Sequence, residues 1–191
     1  MAGGLGCAAG DSDGRPLLPT GIAGPNRSGG IIQDPTPETI EIWRSVFDVN
    51  VLGSINVLKA FVPGLVEAGP LRSGKRTVVV TTSSSLGLYN MHPGPYNTSK
   101  LAVTAVCEQL SLELQRMGDD AAHVSSHSLH PALAATNFLL AKTLEDGEVV
   151  TNASTAARDA YLEHGALSAD DVIDGLFEGL DAGLSYIRVE Q

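Results

Sequence analysis

Apolar residues recur at helical spacing through the first third of the chain. Signals for a helix start stand at residues 36–38, where a hydroxyl, a proline and an acid follow one another. Apolar side chains then repeat every three or four positions as far as Gly69. The pattern loosens near residues 48–50, so we expect a long helix that breaks there and resumes over residues 51–68.

A second kind of pattern follows this helix. Residues 77–82 are β-branched without polar alternation, which is typical of a strand covered on both faces. A long periodic segment then runs from Pro95 to Met117, and Gly118 suits the position just after a helix. We therefore expect a buried strand followed by a helix over residues 95–117.

The rest of the chain continues this alternation. A strand is expected over residues 122–129, with His130 and Pro131 ending it, and a short final strand over residues 186–189. Helices are expected between these two strands, one of them capped at Ser168. Strands that alternate with helices predict an α/β fold with a parallel sheet.

Composition limits the class of protein. The chain has 191 residues, of which 43% are apolar and 18% charged, so we expect one folded domain over residues 1–191. Residues 1–30 are rich in Gly and Pro and are expected to be irregular. Cys7 and Cys107 are too few for a disulfide framework. No signal peptide and no apolar run of membrane-spanning length is recognised, so a cytoplasmic location is expected.

Charge limits the partners. The net charge is −10, which argues against nucleic acid and anionic membranes as partners. No pattern of metal ligands is recognised in the sequence, so no metal site is expected. A small-molecule substrate is the expected partner.

Two residues of the predicted helix over 95–117 can carry out acid–base chemistry together. Tyr96 and Lys100 are four positions apart and therefore share one helix face. A phenol has an ordinary pKa of about 10 and is a poor acid or base at neutral pH. A nearby ammonium stabilises the phenolate and lowers the pKa, so the phenol can exchange a proton with an alcohol or carbonyl oxygen.

Hydroxyl and amide side chains stand at two other informative places. Residues 83–85 are serines at the carboxyl end of the buried strand, where open α/β sheets bind ligands. A serine at that edge can orient a substrate oxygen beside the phenol of Tyr96. Asn50 stands at the expected helix break, where an amide can hold a water molecule or a backbone carbonyl.

Four segments resemble the short-chain dehydrogenase/reductase family in order and spacing. They are FDVNVLG at residues 47–53, VVVTTSSSLG at 78–87, YNTSK at 96–100 and HPALAAT at 130–136. The last is similar to the family's PGxxxT segment. The resemblance covers residues 31–137 and implies a doubly wound, Rossmann-like fold and hydride transfer with NAD or NADP.

The resemblance also implies roles for individual residues. Asn50 would hold a proton-relay water through its backbone, and Ser84 would bind the substrate oxygen. Tyr96 would be the proton donor or acceptor. Lys100 would lower the pKa of Tyr96 and bind the ribose. Pro131 and Thr136 would line the nicotinamide pocket, with Thr136 touching the carboxamide. Ser84 is favoured because Gly87 follows it by three residues, as in the family pattern, and Ser83 stays the alternative.

The N-terminal part departs from the family pattern. The glycine-rich turn that follows the first strand of the family is not recognisable, although glycines occur at positions 4, 6 and 10. The glycine of PGxxxT is replaced by Ala132. We therefore expect a partial Rossmann-like parallel sheet that lacks most of the nucleotide-binding strands, with impaired binding of NAD or NADP.

Self-association is expected for two reasons. In this family the helices corresponding to residues 51–68 and 95–117 pack in the four-helix interface of a dimer or tetramer. A sheet without its nucleotide-binding strands also has an open edge, which invites pairing with another chain. Two alternatives to a redox function stay open. One is a cofactor-independent isomerase, lyase or cyclase that uses Tyr96, and the other is a non-catalytic binding protein.

Overall fold

The computed structural model of the chain is a three-stranded parallel sheet with helices on both faces. It describes residues 37–71, 73–74, 76–90, 94–135, 159 and 162–190. The helices are α1 (Pro37–Phe47), α2 (Gly53–Glu67), α3 (Pro95–Met117) and α4 (Ala169–Asp181). The strands are β1 (Thr77–Thr82), β2 (Val124–Pro131) and β3 (Tyr186–Val189).

The sheet has the strand order β1-β2-β3, and both pairs are parallel. In the first pair Thr77 lies opposite Val124, and in the second pair Pro131 lies opposite Val189. The predicted α/β fold with a parallel sheet is therefore confirmed. The irregular segment expected over residues 1–30 lies outside the described residues.

The expected end of β2 was wrong. His130 and Pro131 do not terminate the strand but are its last two residues, paired with Arg188 and Val189 of β3. A proline lacks the N–H that a strand interior needs, and the final residue of a strand is a position that tolerates this loss. The pairing continues one step further, since the amide of Ala132 donates to the carbonyl of Val189 at 2.9 Å.

The sheet buries apolar side chains on both faces. Val79 belongs to the cluster under α2 and α3, and the adjacent Val80 belongs to the cluster under α4. Neighbouring residues of a strand point to opposite faces, so β1 needs apolar residues at consecutive positions. This explains why residues 77–82 show no polar alternation.

Helix α4 lies unusually close to β3 because two of its residues lack side chains. A Cβ atom on Gly179 would lie 2.5 Å from Ile187, and one on Gly175 would lie 2.8 Å from Val189. The start of α4 has the predicted cap, in which Ser168 and Asp171 bind each other's backbone amides. The two glycines therefore allow α4 to pack directly against β3.

The break in the long N-terminal helix occurs where the sequence predicted it. Residues Asp48–Leu52 form one turn of π-helix between α1 and α2, so the helical path continues with a local widening. Such insertions bring side chains out of the regular helical register. Asn50 lies in this turn and is buried.

One helix among the described residues passes the length and composition test for a membrane span, contrary to expectation. It runs over Ile40–Glu67 with a mean hydropathy of 1.5. Several of its large apolar side chains are about half exposed, namely Ile40, Val49, Leu52 and Phe61. A single such helix is weak evidence for a membrane, because helices that pack against other protein have the same composition.

Candidate active site

The end of β1 is tied to α3 by a buried hydroxyl. Ser83 follows the strand, and its amide donates to the carbonyl of Leu129 at 2.8 Å. Its side-chain oxygen donates to the carbonyl of Lys100 and lies 2.9 Å from the hydroxyl of Thr104. Ser83 is only 4% exposed, so these contacts serve the packing of strand against helix.

A glycine completes this connection. The hydroxyl of Thr104 lies 3.0 Å from the carbonyls of both Gly87 and Lys100. A Cβ atom on Gly87 would lie 2.0 Å from the hydroxyl of Ser83 and 2.9 Å from the carbonyl of Lys100. Only a glycine leaves room for this arrangement. We call Ser83, Gly87, Thr104 and the Lys100 carbonyl the hydroxyl clasp.

Ser84 points away from the clasp and towards Tyr96. Its backbone is extended, and its side-chain oxygen accepts a hydrogen bond from the amide of Leu86 at 3.2 Å. The same hydroxyl is hydrogen-bonded to the side chain of Tyr96. Of the two candidate serines, Ser83 is used in packing, whereas Ser84 lies beside the phenol.

Lys100 lies behind the phenol, inside the protein. The side chain is 2% exposed, and its ammonium donates to the carbonyl of Thr82 at 3.1 Å. The same nitrogen lies 5.8 Å from the centre of the Tyr96 ring. Burial disfavours the charged form and lowers the pKa of Lys100 to about 8.

The expected lowering of the Tyr96 pKa by Lys100 was wrong for the chain as it stands. Burial raises the pKa of Tyr96, and the hydrogen bond from Ser84 only partly offsets this. The ammonium of Lys100 lies over the ring and donates to Thr82. The phenol is therefore held in its protonated form at neutral pH.

Asn50 reaches the first turn of α3 from the π-helical turn. Its side-chain amide donates to the hydroxyl of Ser99 at 3.0 Å, and that hydroxyl donates to the carbonyl of Tyr96 at 2.7 Å. The backbone carbonyl of Asn50 accepts from the hydroxyl of Ser54 at 2.7 Å. The relay water expected at this carbonyl stays a prediction.

Of the two residues expected to line the nicotinamide pocket, the structure describes one. Pro131 is the last residue of β2 and lies at the same carboxyl edge of the sheet as Ser84. Thr136 lies outside the described residues. The segment between them begins with Ala132, which is bonded to β3 and carries a methyl group where the family pattern has hydrogen.

His130 was missed by the sequence analysis. It is fully buried, its Nδ1 lies 2.8 Å from the carbonyl of Ser84, and its Nε2 lies 2.8 Å from the hydroxyl of Ser128. The alternation of polar residues at positions 126, 128 and 130 on one face of β2 was the available signal. The sequence analysis ended the strand before His130 because a proline follows it, so His130 was not placed on that face of β2.

These contacts define what the site can do. The hydroxyls of Ser84 and Tyr96 lie side by side and can both bind one carbonyl or alcohol oxygen. Lys100 has three donor hydrogens and one assigned acceptor among the described residues, which fits a site for ribose hydroxyls. The described residues contain no group of three or more His, Cys, Asp or Glu that could hold a metal ion.

A comparison with protein families identifies the chain. The model of the short chain dehydrogenase family matches residues 26–147, which is more than half of the sequence. The chain belongs to the short-chain dehydrogenase/reductase family. The match includes the π-helical turn, β1, the clasp and α3.

Curated relatives of this family match over part of their length. A dehydrogenase/reductase SDR family member 4 from Bos taurus is 35% identical over 100 residues, covering 51% of this chain and 32% of the relative. A sulfoacetaldehyde reductase from Chromohalobacter salexigens is 30% identical over 138 residues, covering 71% of this chain and 47% of that protein. The chain thus spans a third to a half of these relatives.

Solved structures of the family share the fold. A short chain dehydrogenase/reductase from Burkholderia phymatum in complex with NAD superposes with a TM-score of 0.61 at 25% identity. The superposition covers 89% of this chain and 58% of the Burkholderia phymatum chain. A 3-oxoacyl-[acyl-carrier protein] reductase from Brucella melitensis has a TM-score of 0.62 at 23% identity, with coverage of 90% and 63%.

The buried ammonium predicts how stability depends on pH. The pKa of Lys100 is about 8 in the folded chain and 10.5 ordinarily, so between these values only the unfolded chain holds the proton. The burial penalty is therefore complete below pH 8 and disappears as the pH rises to 10.5. Raising the pH from 7.5 to 9.5 should increase the free energy of unfolding by about 2 kcal/mol through this residue.

Urea unfolding of wild type, Lys100→Met and Lys59→Met at both pH values tests this prediction. The increase should be lost in Lys100→Met and kept in Lys59→Met, because Lys59 is an exposed lysine of α2. An equal increase in all three proteins would show that Lys100 is not desolvated.

Proposed function

We propose that this chain carries the acid–base part of an NAD(P)-dependent oxidoreductase that interconverts a carbonyl and an alcohol. The observation that carries the proposal is the hydrogen-bonded pair of Ser84 and Tyr96 beside the buried Lys100. Family membership supports the same reaction class. Both hydroxyls converge at the carboxyl edge of a parallel sheet, where ligands of open α/β folds bind.

Each side chain has a distinct role in this proposal. The nicotinamide, when bound, supplies or accepts the hydride. Ser84 donates a hydrogen bond to the substrate oxygen and fixes its position beside the phenol. Tyr96 transfers the proton to or from that oxygen. Lys100 would bind the ribose hydroxyls of the cofactor.

Proton transfer by Tyr96 uses opposite forms of the phenol in the two directions of the reaction. Burial keeps Tyr96 protonated, and a protonated phenol can donate to the oxygen of a carbonyl substrate. Alcohol oxidation needs the phenolate, which burial disfavours in this chain.

The proposed cofactor is NAD or NADP, and the proposed affinity of the isolated chain is low. Solved family members contain NAD in the Burkholderia phymatum protein and NADP in a Burkholderia cenocepacia protein. Among the residues that the structure describes, Tyr96, Lys100 and Pro131 are assigned to the cofactor, all at its nicotinamide riboside end. Few contacts to the phosphates and adenine imply weak binding.

The proposed substrate is a small carbonyl compound or alcohol. Named relatives act on different members of this class, including a 3beta-hydroxysteroid dehydrogenase from Caenorhabditis elegans and the sulfoacetaldehyde reductase. They share the reacting group and differ in the rest of the substrate. The acid–base pair of this chain recognises that shared group.

We also infer that the chain self-associates through the long N-terminal helix and α3. Leu52 and Phe61 on the first helix and Leu112 on α3 are 47–50% exposed. Sedimentation velocity should show a species of at least twice the 19.8 kDa of one chain, and Phe61→Glu should shift it towards the monomer. A wild-type monomer at all concentrations would contradict this inference.

A combined binding and activity experiment tests the proposed function. Titration with NADPH and with NADH, followed by nucleotide fluorescence, should show weak saturable binding by the chain. Reduction of a panel of aldehydes and ketones should then be detectable at saturating cofactor. Tyr96→Phe should lower the rate at saturating nucleotide by roughly 100-fold or more, because the proton donor is lost.

Tyr186→Phe is the matched control. It removes one phenolic hydroxyl that is bonded to Glu108 on the exposed surface, and its activity should equal that of wild type. Absence of nucleotide binding at millimolar concentration would remove the redox function. Activity that depends on Tyr96 but not on added nucleotide would indicate the cofactor-independent enzyme class instead.

A further inference from the structure

A buried histidine connects the second strand to the turn that carries the reacting serine. His130 has no exposed surface, and its Nδ1 lies 2.8 Å from the backbone carbonyl of Ser84. That carbonyl also accepts from the amide of Gly87 at 2.8 Å, which closes the turn. The position of the Ser84 backbone is thus determined from β2 as well as from its own turn.

The partners of the ring determine where its proton lies. A carbonyl oxygen can only accept, so Nδ1 must carry the hydrogen and donate to Ser84. Burial and the nearby charges of Arg188 and Lys100 lower the pKa of His130, so the ring is neutral. Nε2 is then an acceptor. The hydroxyl of Ser128 lies 2.8 Å from Nε2 and 3.3 Å from the carbonyl of Ser185, and the nearer Nε2 takes its one hydrogen. The ring is fixed in the Nδ1–H form.

We propose that His130 is a positioning residue, which holds the carbonyl of Ser84 so that the hydroxyl of that serine faces Tyr96. This inference rests on the proposed function for its effect on rate, and on the structure alone for its effect on geometry. Ser84 has an extended backbone and precedes a single short turn, Ser85–Gly87. The amides of Leu86 and Gly87 bind Ser84 from within this turn, so His130 supplies the contact that reaches its carbonyl from the neighbouring strand.

The chain provides an internal control for this proposal. His127, three residues earlier on β2, is also buried and makes the same pair of contacts. Its Nδ1 lies 2.7 Å from the carbonyl of Leu184, and its Nε2 lies 2.9 Å from the hydroxyl of Ser125. The two histidines therefore have the same contact chemistry, but only His130 reaches the reacting serine.

The comparison separates positioning from stability. Replacing either histidine by leucine removes a buried hydrogen-bond donor. The backbone carbonyl that it contacts, of Leu184 or of Ser84, then has one partner fewer, which lowers the free energy of unfolding. Only the replacement of His130 should change the reacting pair. His130→Asn supplies a side-chain amide that can donate to Ser84 in the place of Nδ1, so it is the variant expected to restore the geometry.

The first part of the experiment needs no catalytic activity. Nitrogen-15 NMR of the imidazoles should show His130 neutral with the hydrogen on Nδ1, which is the less common form of histidine in solution. In protein labelled at the ring carbons of tyrosine, His130→Leu should shift the Tyr96 signals, whereas His127→Leu and His130→Asn should leave them close to wild type. A hydrogen on Nε2 alone, or Tyr96 signals unmoved by His130→Leu, overturns the proposal.

The second part measures steady-state kinetics of the same variants at a temperature where all are folded. His130→Leu should lower kcat roughly 10- to 100-fold with the KM for nucleotide little changed, because misplacement of a reacting group costs rate. His130→Asn should recover to within about threefold of wild type, and His127→Leu should match wild type.

The outcomes of the two parts are distinguishable. If kcat falls equally in His127→Leu and His130→Leu, both histidines are structural and the positioning role is wrong. If wild type shows no reductase activity but the NMR predictions hold, the proposed function fails and the geometric role of His130 stands. Should His130→Leu not fold, Ser128→Ala still tests the form of the ring: nitrogen-15 NMR should show the hydrogen of His130 on Nδ1, and a hydrogen on Nε2 alone would contradict the proposal.

Discussion

Helix α3 is held against the end of β1 by hydroxyl groups where an apolar contact would be ordinary. Ser83 and Thr104 share the carbonyl of Lys100 between them, and Gly87 approaches so closely that a single methyl group would displace Ser83. Hydrogen bonds are directional, so this clasp determines the distance and the rotation of the helix relative to the strand. Both properties decide where Tyr96 and Lys100 lie relative to Ser84.

The clasp also explains how a charged side chain is tolerated inside the protein. Lys100 contributes its carbonyl to the clasp and its ammonium to the carbonyl of Thr82. Burial lowers the pKa of the ammonium to about 8, so holding it charged at neutral pH is costly to the fold. Groups that are paired at such a cost are found preferentially where chemistry takes place.

The sequence was informative wherever one local pattern determined the structure. The bounds of β1, α3 and β3 and the break at Asp48–Leu52 agree with the prediction because periodicity, caps and β-branched runs are local signals. The family motifs likewise singled out Tyr96, Lys100 and Ser84, which the structure brings together.

Features that depend on residues far apart in the chain were not predictable in this way. The choice between Ser83 and Ser84 depends on Thr104, which lies 21 residues from Ser83 and carries no motif. The role of His130 depends on a carbonyl 46 residues earlier. The direction of the Tyr96 pKa shift depends on how deeply the fold buries the phenol, whereas the helical spacing of Tyr96 and Lys100 indicated only that they are neighbours.

The central claim is that the contacts of this chain alone hold the reacting groups in place. Native-state hydrogen exchange tests it most directly, at the amides of Ser83 and Gly87, which donate to Leu129 and Ser84. We expect both amides to open with a free energy within about 1 kcal/mol of that of Cys107 in the middle of α3. Exchange of Ser83 and Gly87 through a local opening that costs at least about 2 kcal/mol less would contradict the claim.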